Sequence, residues 1–145
     1  MKLEKEFNSY LADLAVLTVK LHNIHWNVLG VHFVQVHEFT EAEYDKTFER
    51  MDEVAEHLRM FDVIPASTLK EYLELADIKE EPSRTFTSEE AFGIVLADLE
   101  LMREKATKLR NASDDEGWFQ AVALFEDHVS DYDKQIWFLR SILAK

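Results

Sequence analysis

The chain has 145 residues, of which 47% are hydrophobic and 31% charged, with Gly 3, Pro 2 and Cys 0. So little turn-forming material excludes an all-β barrel, a collagen-like repeat and a disordered chain, and the length suits a single domain, 1–145, that buries roughly two-thirds of its unfolded surface. The missing cysteines exclude a disulfide framework, a thiolate metal site and a thiol nucleophile, while 29 acidic against 16 basic residues give a net charge of −13, a field that repels nucleic acid.

The elements follow in chain order from helical periodicity. Leu3, Phe7, Tyr10, Leu14, Leu17, Leu21, Ile24 and Val28 alternate steps of four and three, which is one apolar stripe on a long helix stopped by Gly30. Phe33, Val36, Tyr44, Phe48, Met51, Ala55 and Leu58 continue the pattern less strictly and predict a second helix from about Phe33 to Met60, closed before Pro65. The region 61–86 contains both prolines and reads as a long crossover with a short helix, Thr68 to Leu75, opened by the capping box Thr68-x-x-Glu71.

A second capping box, Thr87-x-x-Glu90, opens a third helix striped by Phe92, Val95, Leu99, Met102, Ala106 and Leu109 and expected to end near Asn111. After a polar turn, Trp118, Val122, Phe125, Val129, Tyr132, Ile136, Leu139 and Leu143 predict the fourth. Short first and third connections around a long middle one predict an all-α, ferritin-like four-helix bundle with a short helix in its crossover. Spacing alone does not separate this from a generic four-helix scaffold. No apolar run reaches the roughly 18 residues of a membrane span, and MKLEKEF lacks the apolar core of a secretory signal, so a soluble, cytoplasmic chain is expected.

The polar chemistry concentrates around the first connection. His22, His25, His32 and His37 fall within sixteen positions, beside Glu38, Glu41 and Glu43, and imidazole with carboxylate suits a first-row metal ion. His22 and His25 form an i, i+3 pair capable of chelation, a pattern that a surface pair shares. On the second helix Glu41 lies about 40° from His37, Asp52 about 20° beyond Glu41, and Glu56 about 40° further, so the four share a face. The rise from Glu41 to Asp52 is about 16 Å, too far for His37/Glu41 and Asp52/Glu56 to hold one ion within a straight helix. On spacing alone the acids read equally well as a solvated face. As ligands they make two separate sites, or halves of a site completed when a second subunit lays its own helix antiparallel across a two-fold axis. The Glu-x-x-His pattern of an intra-bundle di-iron centre is absent from the chain.

His22-Asn-Ile-His25-Trp26-Asn-Val, Gly30-Val-His32-Phe33, Val36-His37-Glu38 and Met51-Asp52-Glu53-Val54-Ala55-Glu56 closely resemble the signature of the Dps family, the miniature ferritins. Pro65-Ala-Ser67-Thr68-Leu69-Lys70-Glu71-Tyr72-Leu73 and Asp133-Lys134-Gln135-Ile136-Trp137 extend the resemblance over nearly the whole chain. It implies a homo-oligomer, a dodecameric shell, with ferroxidase centres at two-fold interfaces that oxidise Fe(II) to Fe(III), often with hydrogen peroxide in preference to oxygen, and store a ferric mineral. By motif position His25 and His37 are the imidazole ligands from one subunit, Asp52 and Glu56 the carboxylates from its partner, with Glu56 bridging. Trp26 matches a tryptophan beside the centre that donates electrons, though it also suits a core-filling aromatic. The family usually has Asp four residues after the second histidine, where this chain has Glu41, which is expected to ligate with a longer arm. Its threefold pore is usually lined with acids near the start of the fourth helix; here Asp114, Asp115 and Glu116 stand in the turn, followed by Trp118 and Phe119.

Direct DNA binding is not expected, because only Lys2 and Lys5 precede Phe7 and the net charge is strongly negative. The alternatives are a noncatalytic shell that binds zinc or manganese, since the same ligands suit those ions, and a DNA-associating member of the family.

Overall fold

A computed structural model describes all 145 residues. Five helices follow one another: α1 (Glu4–Asn27), α2 (Phe33–Met60), α3 (Leu69–Leu75), α4 (Ser88–Asp115) and α5 (Phe119–Leu143). There are no strands, only an isolated parallel bridge between Val28 and Phe86. The chain divides into two compact units, 1–95 and 96–145.

In the first unit the stripe of α1 is the core. Phe7, Tyr10, Leu14, Leu17, Leu21, Ile24 and Val28 are all buried, as the spacing predicts. Gly30 takes φ 119°, a conformation open to glycine and costly for other residues, and the chain turns there into α2. That turn is pinned by the far end of the crossover: Leu29 N–H donates to the Phe86 carbonyl at 2.9 Å and Phe86 N–H to Asn27 at 3.1 Å.

The second helix has the predicted bounds but not the predicted face. Its buried residues are Val36, Thr40, Glu43, Thr47, Arg50, Val54, His57 and Leu58, a row in which polar groups outnumber apolar ones. Of the apolar stripe expected to form the core, only Val36 and Leu58 are buried; Phe33 is 39% and Phe48 63% exposed, and Tyr44, Met51 and Ala55 are half-buried. The two faces are roughly a quarter-turn apart, and periodicity reports the spacing of a stripe without saying what covers it.

The crossover is held by a carboxylate that periodicity did not single out. Asp13 is fully buried on α1 and accepts from the backbone N–H groups of Asp77 at 2.7 Å and Ile78 at 2.9 Å. Asn8 Oδ1 accepts from Ala66 N–H at 2.9 Å, so one face of α1 anchors the crossover at two points. Both capping boxes form. Glu71 N–H donates to Thr68 Oγ1 at 3.2 Å, and Glu71 Oε1 accepts from Ser67 N–H. Glu90 N–H donates to Thr87 Oγ1 at 3.1 Å while Thr87 N–H returns to Glu90 Oε1 at 3.2 Å, a bond that lowers the Glu90 pKa.

The third helix continues to Asp115, past the expected stop at Asn111. Asn, Ser and Asp are weak but tolerated helix residues and Ala112 is a strong one, and the true stop is Gly117, at φ 73°. In the second unit Leu99, Met102, Ala106 and Leu109 of α4 are buried, as are Phe125, Tyr132, Ile136 and Leu139 of α5. Three cross-helix ion pairs set their antiparallel register: Arg110–Glu126 at 3.0 Å, Arg103–Asp133 at 3.2 Å and Arg140–Glu100 at 3.4 Å.

Two stability predictions follow from α1 and α2. Replacing Asp13 with Ala strips two buried N–H groups of their acceptor and is expected to cost about 3 kcal/mol, read from urea unfolding midpoints. His57 has the opposite sign. Its ring is 3% exposed, stacked on Phe7 at 5.8 Å, and its buried Nε2 has no hydrogen-bond partner. Burial lowers its pKa below 6.5, so the unfolded chain takes up the proton first, and the stability present above about pH 6.5 is lost as pH falls below it. His57→Phe is expected to be at least as stable at neutral pH and to flatten the pH dependence of the unfolding midpoint below about pH 6.5.

Candidate metal centre

The end of α1 and the start of α2 bring His25 and His37 face to face. Their ring centroids are 3.6 Å apart with an interplanar angle of 15°. His25 Nδ1 lies 2.7 Å from the His37 carbonyl, and His37 Nδ1 lies 2.9 Å from the His25 carbonyl. A carbonyl only accepts, so each Nδ1 carries the proton and each Nε2 presents its lone pair. That is the tautomer a metal-binding histidine needs, with the second nitrogen anchored by backbone. His25 is 5% exposed, and burial lowers its pKa against the opposing effect of its bond to His37, so its ring is neutral at pH 7.

The neighbours are aromatic. Tyr44 meets His25 edge-on at 5.2 Å and stacks on His22 at 3.8 Å, and Phe33 stacks on His37 at 5.0 Å. Tyr44 Oη donates to Glu41 Oε1 at 3.4 Å; burial and Glu41 raise the phenol's pKa, which keeps the donor protonated. His22 is anchored separately from His25. Its Nδ1 is 2.7 Å from the Thr18 carbonyl and its ring packs on Tyr44 and, at 5.4 Å, on Trp26. Trp26 is 67% exposed, which rules out the core-filling reading. Glu43, expected among the acids beside the histidines, is buried on the core face of α2 with Lys46 at 3.0 Å.

The acids Glu41, Asp52 and Glu56 are exposed. Glu56, when protonated, donates a hydrogen bond to Asp52, and that bond together with the repulsion of the Asp52 charge raises the Glu56 pKa. His37, Glu41, Asp52 and Glu56 lie on one unbroken helix, with His25 brought beside His37 from α1, and no group of three or more His, Asp or Glu side chains within the chain is placed to hold an ion. What the chain presents is a histidine pair and an acid pair at separate places along α2. They are placed symmetrically: His37 and Glu56 lie equally far to either side of the Lys46–Thr47 peptide, and so do Glu41 and Asp52. Between them runs an apolar row of the exposed Phe48 and the half-buried Tyr44, Met51 and Ala55.

Periodicity found every candidate ligand but missed Thr40 and Tyr44, which orient two of them. The signal available was Thr40 standing three residues after His37 and Tyr44 three after Glu41, one helical turn each.

The ferritin-like domain model matches residues 4–145. The DNA protection during starvation protein of Helicobacter pylori is 35% identical over 133 residues, 92% of each chain. That of Listeria innocua is 36% identical over 143 residues, 97% of this chain and 92% of its own. Among solved structures, Helicobacter cinaedi CAIP matches with a TM-score of 0.95 at 36% identity, covering 99% of this chain and 100% of its own. Dps from Listeria innocua soaked with zinc matches with 0.94 at 34%, covering 99% and 97%. The fold is thus the all-α, ferritin-like four-helix bundle expected from the sequence.

Removing the neighbouring charge is expected to release Glu56. In Asp52→Ala its carboxyl pKa falls toward the ordinary glutamate value, because the two largest of the three causes that raise it both come from Asp52 and are lost. Carboxyl carbon shifts followed by NMR through the acid titration check this.

Proposed function

The chain belongs to the ferritin-like Dps family, and on that premise we propose that it is a ferroxidase of an iron-storage shell. Fe(II) is its substrate and is oxidised at centres shared between two subunits. The carrying observation is the pair of half-sites on α2 that no single chain completes. A second copy packing its α2 antiparallel across a two-fold axis near the Lys46–Thr47 peptide sets His37 against Glu56 of the partner subunit and Glu41 against Asp52 of the partner subunit, twice over. The exposed Phe48 lies next to that axis and gives the interface its apolar centre.

The ligand geometry supports two ions per centre. The lone pair of each Nε2 lies in its own ring plane, and two nearly parallel planes about 3.6 Å apart do not converge on one ion. Each imidazole therefore takes its own Fe(II), and Glu56 of the partner subunit bridges them, with Asp52 of the partner subunit on one and Glu41 on the other. Two ferrous ions supply two electrons together. Each gives one to hydrogen peroxide, the O–O bond breaks, and both oxygens leave as water after taking up two protons, with no hydroxyl radical released. Carboxylate ligands favour Fe(III) over Fe(II) and so help drive the step. Oxygen serves as the slower oxidant.

The ferric product is stored inside a homo-oligomer, a dodecamer by analogy with the family, in the cytoplasm. Trp26, exposed and in contact with His22, is suited to donate an electron when an oxidation runs one electron short. Protection of DNA comes from removing iron and peroxide, since a net charge of −13 opposes direct binding.

Complementation tests the shared site. One variant carries His25→Ala and His37→Ala, the other Asp52→Asn and Glu56→Gln, and each alone is expected to oxidise Fe(II) no faster than buffer when peroxide is added in a stopped flow. Disassembled, mixed in equal amounts and reassembled, they are expected to recover about a quarter of the wild-type rate, because half of the dimers are mixed and each mixed dimer has one intact centre of two. Activity in either variant alone rejects those ligands. Metal binding without oxidation in the wild type identifies a passive zinc or manganese shell instead.

A further inference from the structure

Behind the histidine pair lies a hydroxyl that the proposed chemistry does not use. Thr40 is fully buried, with Oγ1 2.7 Å from the Val36 carbonyl, 3.1 Å from the His37 carbonyl and 3.2 Å from His25 Nδ1. A hydroxyl has one proton and two lone pairs. The proton goes to the nearest acceptor, the Val36 carbonyl, in the i to i−4 bond that threonine makes inside a helix. What Thr40 offers His25 is therefore a lone pair.

His25 Nδ1 thus faces two acceptors at once, the His37 carbonyl at 2.7 Å and the Thr40 hydroxyl. One is backbone and the other a buried side chain on the next turn of the same helix. Together they define both the direction of the N–H bond and the plane of the ring, which a single acceptor would leave free to rock. If the proton sat on Nε2 instead, the bare Nδ1 would set its lone pair against the carbonyl oxygen, and Thr40 would have to give up its bond to Val36 to donate to it.

We propose that Thr40 is the positioning residue of His25: its hydroxyl accepts from Nδ1–H beside the His37 carbonyl, fixes the ring plane and holds Nε2 as the unprotonated, metal-binding nitrogen. His37 has only the His25 carbonyl on its Nδ1, so the two imidazoles are unequally anchored and His25 is the stiffer ligand. The consequence for metal binding rests on the proposed function, but the tautomer belongs to the metal-free protein and is read without any metal.

Thr40→Val removes the acceptor while keeping the shape, Thr40→Ala removes it without crowding, and Thr40→Ser retains the hydroxyl. Solid-state 15N spectra of metal-free protein with ring-labelled histidine, taken at about pH 8 where imidazole is neutral, report which nitrogen is protonated, with His25 assigned by difference from His25→Gln. The wild type and Thr40→Ser are expected to show His25 protonated at Nδ1 alone. Thr40→Val and Thr40→Ala are expected to show a mixture of tautomers and to bind cobalt(II), followed by its visible absorption, about tenfold more weakly. Thr40→Ser is expected to restore both. A single Nδ1–H tautomer with wild-type cobalt affinity in both acceptor-free variants overturns the proposal. Mixed tautomers in those variants, with no cobalt bound by any protein including the wild type, uphold Thr40 and overturn the metal reading instead.

Discussion

The reciprocal exchange between His25 and His37 is the constraint on which the proposed centre depends. Each ring gives its Nδ1–H to the other residue's carbonyl, so neither histidine adopts its orientation without the other. The exchange ties the last turn of α1 to the first turns of α2. It also bears on the protons: a carbonyl opposite each Nδ1 favours, in the neutral rings, the tautomer that leaves Nε2 as a lone pair. A helix C-terminus ordinarily leaves its last carbonyls to water or a cap; here the His25 carbonyl is put to use. Each such bond contributes about 1 kcal/mol net, which is small for the fold but is enough to select one ring orientation.

The second helix shows how a face can be misassigned and still be informative. Its core-facing row carries Thr40, Glu43, Thr47, Arg50 and His57, while Phe48 stands in solvent. For an isolated chain this inverts the usual rule, since large apolar side chains lower the free energy by leaving water. It makes sense if the apolar row is covered by another copy, and the acids flanking that row then lose solvent only when the imidazoles opposite them arrive. In the proposed dimer apolar contact and metal ligation share one surface, so assembling the subunits and completing the centre would be a single event.

The crossover buries Ala66, Ile78 and Phe86 and is fixed in position by carboxylates and amides. Asp13, Asn8 and the two capping boxes satisfy backbone groups that a segment without regular structure would otherwise leave to water. Such bonds fix position at low apolar cost, which allows α3 to keep Leu69 and Leu73 exposed without loosening the segment.

By itself the sequence determined the number, order and approximate ends of the helices, because the four-and-three alternation, the two Thr-x-x-Glu boxes and Gly30 are local signals read within a few turns. It also singled out His25, His37, Glu41, Asp52 and Glu56 as candidates for metal chemistry and, through the rise of a straight helix, put Glu41 and Asp52 too far apart to share an ion within one chain. It did not reveal that the face containing Phe48 is uncovered, that Asp13 and not a hydrophobic residue holds the crossover, or that Thr40 and Tyr44 support His25 and Glu41. Those depend on which surfaces meet, and residues such as Asp13 and Asp77 stand more than sixty positions apart. Periodicity has no term for such contacts. Only tertiary structure decided that His25 and His37, twelve residues apart, stack ring on ring with their Nδ1 protons turned inward, because the direction of an N–H bond is set by the acceptor in front of it.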